Sequence, residues 1–402
     1  MKQKIIIIGG GAAGFFSAIT IAETNPNLEV IILEKGSKVL QKVKVSGGGR
    51  CNVTHACFTP NELIEFYPRG KKELLGPFHQ FMTGDTMEWF ENRGVPLKIE
   101  EDNRIFPKSN SSQSIIDCLT KSAKDAGVIL ELNQNVESIE KKNDQFVIKT
   151  NSQEFIANKL LIASGSNPKV WELVSELGHK IINPVSSLFT FNINDNRIKE
   201  IPGVSVSNAT VALIDSKFET NGPVLITHWG LSGPAILKLS AFGALFLADE
   251  NYQYQVKINW LSKSFDTVLH KLKILKKENQ KKQIIVKSLF KDIPKRLWEN
   301  LVLAAKMKQD QRWADVSNKQ LENLVNQLTN TIFNAYGKTT FKEEFVIAGG
   351  VNLKEINFKR FESKIHTNLF FAGEVLNIDA VTGGFNFQNA WTGGYIAGKA
   401  IG

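Results

Sequence analysis

Apolar positions along this chain fall into distinct textures. Short continuous apolar runs, Ile5 to Ile8, "LEVIILEK" (28–35), "KLLIAS" (159–164) and Leu369 to Ala372, predict strands buried in a sheet. Helical spacing appears in "SSQSIIDCLTKSAKDAGVIL", which begins on a Ser cap, and in the glycine-studded run Phe385 to Ile401. "FHQFMTGDTMEWFENRGVPLKIEEDNRIFP" reads as a helix running into a short extended pair. Residues 130–165 alternate like a β-meander, with turns near Asn143–Asp144 and Asn151–Ser152. From about residue 190 the chain becomes rich in Thr, Val, Ile and turn residues, with no long helix before Leu231. Apolar residues then recur at helical spacing (Leu272, Leu275; Ile285, Leu289; Leu297, Leu301), and residues 332–351 return as strands.

This order predicts an α/β protein: one Rossmann-like dinucleotide-binding domain carrying an inserted β-barrel module and a small helical module. The expected boundaries are 1–191 and 349–402 for the dinucleotide domain, 192–258 and 328–348 for the barrel, and 259–327 for the helical insert.

The opening stretch, "KQKIIIIGGGAAGFFSAITIAE", admits an export signal or a membrane anchor as well as a nucleotide-binding turn. Three glycines in its middle would weaken a hydrophobic helix, and no A-x-A box precedes Glu23. It divides instead into strand, turn and helix, with Gly9-x-Gly11-x-x-Gly14 in the turn. In that fingerprint the first glycine permits the turn, the second lets backbone approach a pyrophosphate, and the third lets helix pack on strand. The helix N-terminus faces the phosphates with free N–H groups. Glu34, at the end of the second strand and twenty residues past Gly14, is placed to accept from both ribose hydroxyls.

Further along, "KVKVSGGGRCNVTHAC" (42–57) sets three glycines beside a cation, Arg50, with Ser46 and Asn52 as polar neighbours. A surface loop would not need Arg-Cys-Asn directly after the glycines. The Ala163-Ser164-Gly165-Ser166 strand end leaves room for a dinucleotide. At Gly373-Glu374 a carboxylate stands at a strand end, suited to ribityl hydroxyls, and the helix after Gly383-Gly384 aims its positive end at an electron-rich ring.

Composition narrows the class. Hydrophobic content of 42% and charged content of 22% fit a soluble globular protein, without membrane insertion. Three cysteines (Cys51, Cys57, Cys118) form no metal-ligand spacing, so no metal site is expected, and a reducing, cytoplasmic location is. The net charge of +9 is local. Lys263 to Arg312 holds fourteen Lys and Arg against five Asp and Glu, which accounts for all of it. Small helices with a solvated basic face are the simpler reading, an RNA-binding patch the sharper one; no nucleic-acid module accompanies it.

Together these residues resemble a bacterial flavoprotein family of NAD(P)/FAD-dependent oxidoreductases with glutathione-reductase-like fold, whose members include aminoacetone oxidase and bile-acid dienone reductase types. The matches, "IIIIGGGAAG", "LEK", "KVKVSGGGRCN", "DNRIFP", "THWGLSGPAIL", "AGGV" and "FAGEVLNIDAVTGGFNFQNAWTGGYIAG", cover almost the full length. The resemblance implies one FAD, bound noncovalently in an extended form. Gly9, Gly11, Ala12, Ala13 and Gly14 would hold its pyrophosphate, and Glu34, with Lys35 and Val136 nearby, its adenosine. Lys42, Ser46, Gly47, Gly48, Gly49, Arg50, Cys51 and Asn52 would pass along it, as would Ala163, Ser164 and Gly165. Gly373 and Glu374 would take the ribityl chain, and Gly384, Phe385 and Asn386 the isoalloxazine. The chain departs from the family at "LIASGSNP", where relatives have Ala-Thr-Gly-Gly, and at Gln41, where they often have Arg.

The chemistry expected is an FAD-dependent oxidoreduction of a small organic substrate, an unsaturated ketone or an amine, with NAD(P)H as a transient reductant; a reductase is favoured over an oxidase. Only one Rossmann fingerprint is present, so NAD(P)H has no second domain of its own. The alternative is a flavin-dependent RNA-modifying protein that grips RNA with the basic insert, although nucleic acid is not the expected partner. His228, in "THWGLSGP", is the one candidate for facing substrate. Cys51 and Cys57 are separated by five residues rather than the four of flavin disulfide reductases, so Cys51 is expected as a packed thiol.

Overall fold

The computed structural model describes residues 2–339 and 346–402; the middle of the predicted 332–351 strand region, residues 340–345, lies outside them. The chain divides into two compact units, 1–184 with 346–402, and 185–345.

The first unit is built on a seven-stranded sheet. Five consecutive strands are parallel, in the order Leu369–Phe371, Lys159–Ile162, Lys4–Ile8, Glu29–Leu33, Ile129–Glu131. Two short antiparallel strands, Glu362–Ser363 and Ile356–Asn357, extend one edge. Ile5, Ile6 and Ile7 are fully buried, as a β-branched run enclosed on both faces must be. The chain leaves Lys4–Ile8 toward Glu29–Leu33 on one side, while Lys159–Ile162 arrives on the other. The strand order therefore reverses at this point, and the crevice at the carboxyl ends of Ile8 and Ile162 is where such sheets take ligands.

The first helix, Ala12–Thr24, lies against the closing helix, Phe385–Ile401. Glycines at 394 and 398 and the C-terminal Gly402 make this approach possible. A Cβ at Gly398 would stand 2.7 Å from Thr20 Cβ, and one at Gly402 2.9 Å from Thr24 Cβ. "DNRIFP" forms the central strand of a three-stranded sheet, Arg104–Pro107 between Thr54–His55 and Leu97–Ile99. The meander appears as Val136–Lys142, Gln145–Thr150 and Glu154–Ala157.

The second unit holds a seven-stranded antiparallel sheet. Its two outermost strands, Thr331–Tyr336 and Lys338–Thr339, are one residue apart in the chain yet at opposite ends of the strand order. The sheet therefore curls until its edges meet at Gly337. Helices Phe265–Glu278, Lys295–Ala304 and Asn318–Thr329 share one apolar cluster with it, around Trp260, Trp298, Leu272 and Phe333. Ile285 and Leu289, although spaced as on a helix, lie in the irregular segment between the first two of these helices. Pro294 caps the helix that follows them.

Candidate functional site

The three fingerprint glycines are not equivalent. A Cβ at Gly9 would meet Ala163 O at 2.5 Å, and one at Gly14 would meet Gly9 O at 2.0 Å. These two are demanded by the protein itself. A Cβ at Gly11 would meet nothing within 4 Å, and its backbone (φ −95°) suits any residue. What needs a bare backbone there lies outside the protein. Gly11 is the N-cap of the first helix, no side chain caps it, and no acidic residue occupies its first turn. The N–H groups of Ala12, Ala13 and Gly14 thus form a positive, uncovered end fit for a pyrophosphate.

Glu34 follows the strand Glu29–Leu33. Its Oε2 accepts from Gly10 N and its Oε1 from Gly36 N, both at 2.8 Å. The carboxylate is thereby fixed in place with lone pairs remaining for ribose hydroxyls. Gln134 N–H bonds the Glu34 carbonyl at 2.9 Å, which brings Val136 to this end, buried at the start of the meander. Lys35 is exposed beside them.

At the crevice, residues far apart in sequence converge. Lys42 Nζ reaches Glu374 Oε2 at 2.5 Å and Ser166 Oγ at 3.4 Å. Gly165 faces both, with Glu374 Oε2 at 3.7 Å and Lys42 Nζ at 3.9 Å from its Cβ position. Gly373 lies against Ala13, at 3.1 Å by the same measure. Ala163 is buried beneath Gly9, and Ser164 is half-buried.

The glycine loop is reached from a short helical stretch. Helical backbone from Gln41 breaks at Ser46 (ψ 149°), whose hydroxyl donates to Val43 O at 2.9 Å. Gly47, Gly48 and Gly49 follow in consecutive left-handed conformations (φ 57°, 68°, 82°), a run that only glycine adopts without cost. Cβ positions at Gly48 and Gly49 meet nothing within 4 Å, as at Gly11. Arg50 does more than carry charge toward the loop. It pairs with Glu100 at 2.7 Å and stacks on Phe106, 3.9 Å from ring centroid to guanidinium carbon. Asn52 Oδ1 is buried and has no hydrogen-bond partner in the protein, an acceptor presented without a donor.

Cys51 is fully buried, and burial pushes its thiol up to about 12 against a smaller opposing effect of Ser46. Burial also raises the Cys57 thiol. Neither is a thiolate near neutral pH, and neither is in a disulfide. Among the described residues no His, Cys, Asp and Glu cluster could hold a metal ion.

Past the loop, Thr54 and His55 meet the start of the closing helix. Its N-cap, Gly384, is left-handed (φ 94°), and a Cβ there would lie 2.7 Å from the Thr54 carbonyl. Phe385 points inward, stacked on Phe66 at 4.2 Å and against His55 at 4.5 Å, while Tyr67 Oη donates to its carbonyl at 2.6 Å. Asn386 uses both amide atoms on Ala380, at 3.0 and 3.3 Å, and so shapes the preceding loop. His55 Nδ1 lies 3.2 Å from Gly383 O, and burial lowers its pKa.

Several anchors of this helix carry no local sequence signal. Gln388, fully buried, accepts from Thr54 Oγ1 (2.6 Å) and Thr86 Oγ1 (3.0 Å) and donates to Thr392 Oγ1 (3.0 Å). Trp391 Nε1 donates to Val53 O at 2.9 Å, and Arg69 pairs with buried Asp379. Polar residues on an otherwise apolar helix were the available hint. All these residues belong to the first unit. His228 belongs to the second, exposed in the turn between Glu219–Ile226 and Gly230–Ser232.

Bare backbone at Gly11, Gly48 and Gly49, an uncapped helix end, a ribose-side carboxylate and an unpartnered acceptor fit an extended dinucleotide cofactor. Fold and site thus define a Rossmann-type FAD-binding flavoprotein of the oxidoreductase class.

The chain belongs to the family described as HI0933-like protein Rossmann domain, whose model matches residues 3–400. It is 28% identical over 415 residues to the ribosomal RNA dihydrouridine synthase of Haemophilus influenzae, covering 98% of each chain. It is 26% identical to the 3-dehydro-bile acid delta(4,6)-reductase of Clostridium scindens, covering 99% of this chain and 98% of that one. Among solved structures it is similar in fold to the 3-ketosteroid-delta4-(5alpha)-dehydrogenase of Rhodococcus jostii RHA1, with TM-score 0.52 and 12% identity, covering 99% and 97% of the two chains. No helix among the described residues is long and apolar enough to cross a membrane.

Proposed function

We propose that the protein is an FAD-dependent reductase of a carbon–carbon double bond conjugated to a carbonyl, and that its substrate is the uracil ring of an RNA. Bound FAD would supply hydride-transfer chemistry. Saturating such a bond takes a hydride at the β-carbon and a proton at the α-carbon; the electrons come from NAD(P)H, which leaves as NAD(P)+. The chain's own residues have other tasks. The first-helix N–H groups bind phosphate, Glu34 and Glu374 hold hydroxyls, and Lys42 balances the Glu374 charge. The closing helix, clamped through Gln388 and Phe385, would present its positive end to the bound ring.

The H. influenzae and C. scindens relatives carry names that describe saturation of a bond of this kind, which supports the reaction class. The observation that carries the RNA reading is the segment Lys263–Arg312. Of its fourteen cations all but Lys276 are exposed, and Lys295–Glu299 at 3.6 Å is its one ion pair with a carboxylate among the described residues. This reverses the preference drawn from the sequence, where small helices with a solvated basic face were the simpler account. The second reading, a small unsaturated ketone, is favoured by the C. scindens relative.

One experiment separates them. The purified protein is incubated without oxygen with NADPH or NADH and an unmodified ribosomal RNA transcript, or with a steroid 4-en-3-one. Nucleosides that gain two hydrogens by mass support the RNA reading. Turnover of the ketone alone transfers the assignment to a small molecule.

A further inference from the structure

The geometry points to a single-stranded RNA track on the second unit, running from an exposed tryptophan at a rigid turn to the start of helix Lys295–Ala304; this inference rests on the RNA reading above. Trp229 is 61% exposed, while the other six tryptophans are at most 9% exposed. Its exposed indole offers a flat aromatic face on which a base could stack. The turn that carries it is closed by Thr227 N to Gly230 O at 2.8 Å, and Trp229 N donates to Thr227 Oγ1 at 3.3 Å. Gly230 is seated against Phe191 O, 2.3 Å from its Cβ position. The ring is therefore held out by a fixed backbone.

The carbonyl of Trp229 accepts from Ile193 N at 2.8 Å, and the chain runs from there directly to the basic helix. Tyr336, 54% exposed, donates to Asn194 O at 3.4 Å. Asn300 Nδ2 donates to Arg197 O at 3.0 Å, and Arg296 to Glu200 O at 2.6 Å. The seven residue steps from Ile193 to Glu200 span at most about 25 Å. Within that reach lie two exposed aromatic rings and the exposed cations Lys199, Lys295 and Arg296.

Exposed aromatic faces beside exposed cations match the chemistry of single-stranded nucleic acid, whose bases stack and whose phosphates need charge. An anionic membrane surface would share the charge. It would use a broad apolar helix face rather than one ring on a strand turn.

The test uses the full-length flavoprotein and a sixteen-nucleotide oligo(U). Trp229 is the exposed indole, so RNA binding should quench intrinsic fluorescence and shield it from iodide. Trp229→Ala should bind the oligonucleotide about tenfold more weakly, with Trp229→Phe between the two, while NADPH still bleaches the flavin at the wild-type rate. Lys199→Gln with Lys295→Gln should lower the slope of log affinity against log salt by about 1.4, at about 0.7 per phosphate lost. Wild-type affinity in Trp229→Ala, or no iodide shielding of the wild-type indole by oligo(U), would overturn the track; dihydrouridine still formed by that variant would leave the RNA reading standing. Binding of phosphatidylglycerol vesicles with none of oligo(U) would overturn both.

Discussion

The first helix begins at Gly11 with open space beside its backbone, whereas the closing helix begins at Gly384 pressed against the Thr54 carbonyl. Both are glycine N-caps, and neither is capped by a side chain. One glycine is there for what approaches from outside, the other for what the protein packs behind it. The phosphate end is a bare surface built on a tight turn. The ring end is a clamp, fixed by Gln388, Tyr67, Trp391 and stacked aromatics. On the proposed function, a cofactor would be held by backbone at the first end and would meet a fixed dipole at the second.

This comparison can be broken at four points. Gly14→Ala puts a Cβ 2.0 Å from Gly9 O, where only backbone movement relieves it. It should cost about 3 kcal/mol or more and leave little folded protein by circular dichroism. Gly384→Ala should cost about 1–2 kcal/mol from its left-handed backbone alone, with the Thr54 contact added. It is read by thermal melting with FAD present and absent. Gln388→Leu strands the Thr54 and Thr86 hydroxyls, costing about 2 kcal/mol, and should loosen the ring end while phosphate-end binding of ADP persists. Asn386→Ala removes two bonds to Ala380 and should cost about 1 kcal/mol in a denaturant titration. Should Gln388→Leu abolish ADP binding as well, the two ends are not separable and the comparison fails.

The fingerprint turn was legible in the sequence because its determinants are local: four β-branched residues, three glycines at fixed spacing and a carboxylate twenty residues on all lie within the first 34 positions. The Rossmann fold followed from them and from the apolar strand runs. The clamp was not legible, since Thr54 meets Gln388 across 334 residues and Tyr67 meets Phe385 across 318. Motif matching expects Phe385 and Asn386 at the flavin ring; no local signal foretold that Phe385 would stack on Phe66 or that Asn386 would bond Ala380. Ile285 and Leu289 were misleading for another reason. Their spacing fits a helix, but the segment instead runs irregularly to Pro294, and a bridge at Gln283–Arg312 ties it down.

The basic segment shows the limit of composition. Charge count alone favoured a solvated face, and only exposure and the scarcity of carboxylate partners turned the reading toward a polyanion. Its aromatic neighbours, Trp229 and Tyr336, lie outside the segment in sequence and join it through the chain from Ile193 to Glu200.

The most direct measurement is the flavin content of Gly11→Val. Its side chain enters space that no protein atom occupies, at a backbone conformation valine accepts. The account predicts a folded protein that melts like the apo wild type and purifies without yellow colour. A Gly11→Val protein that retains one FAD per chain would contradict it, because the bare backbone at Gly11 would then serve no ligand.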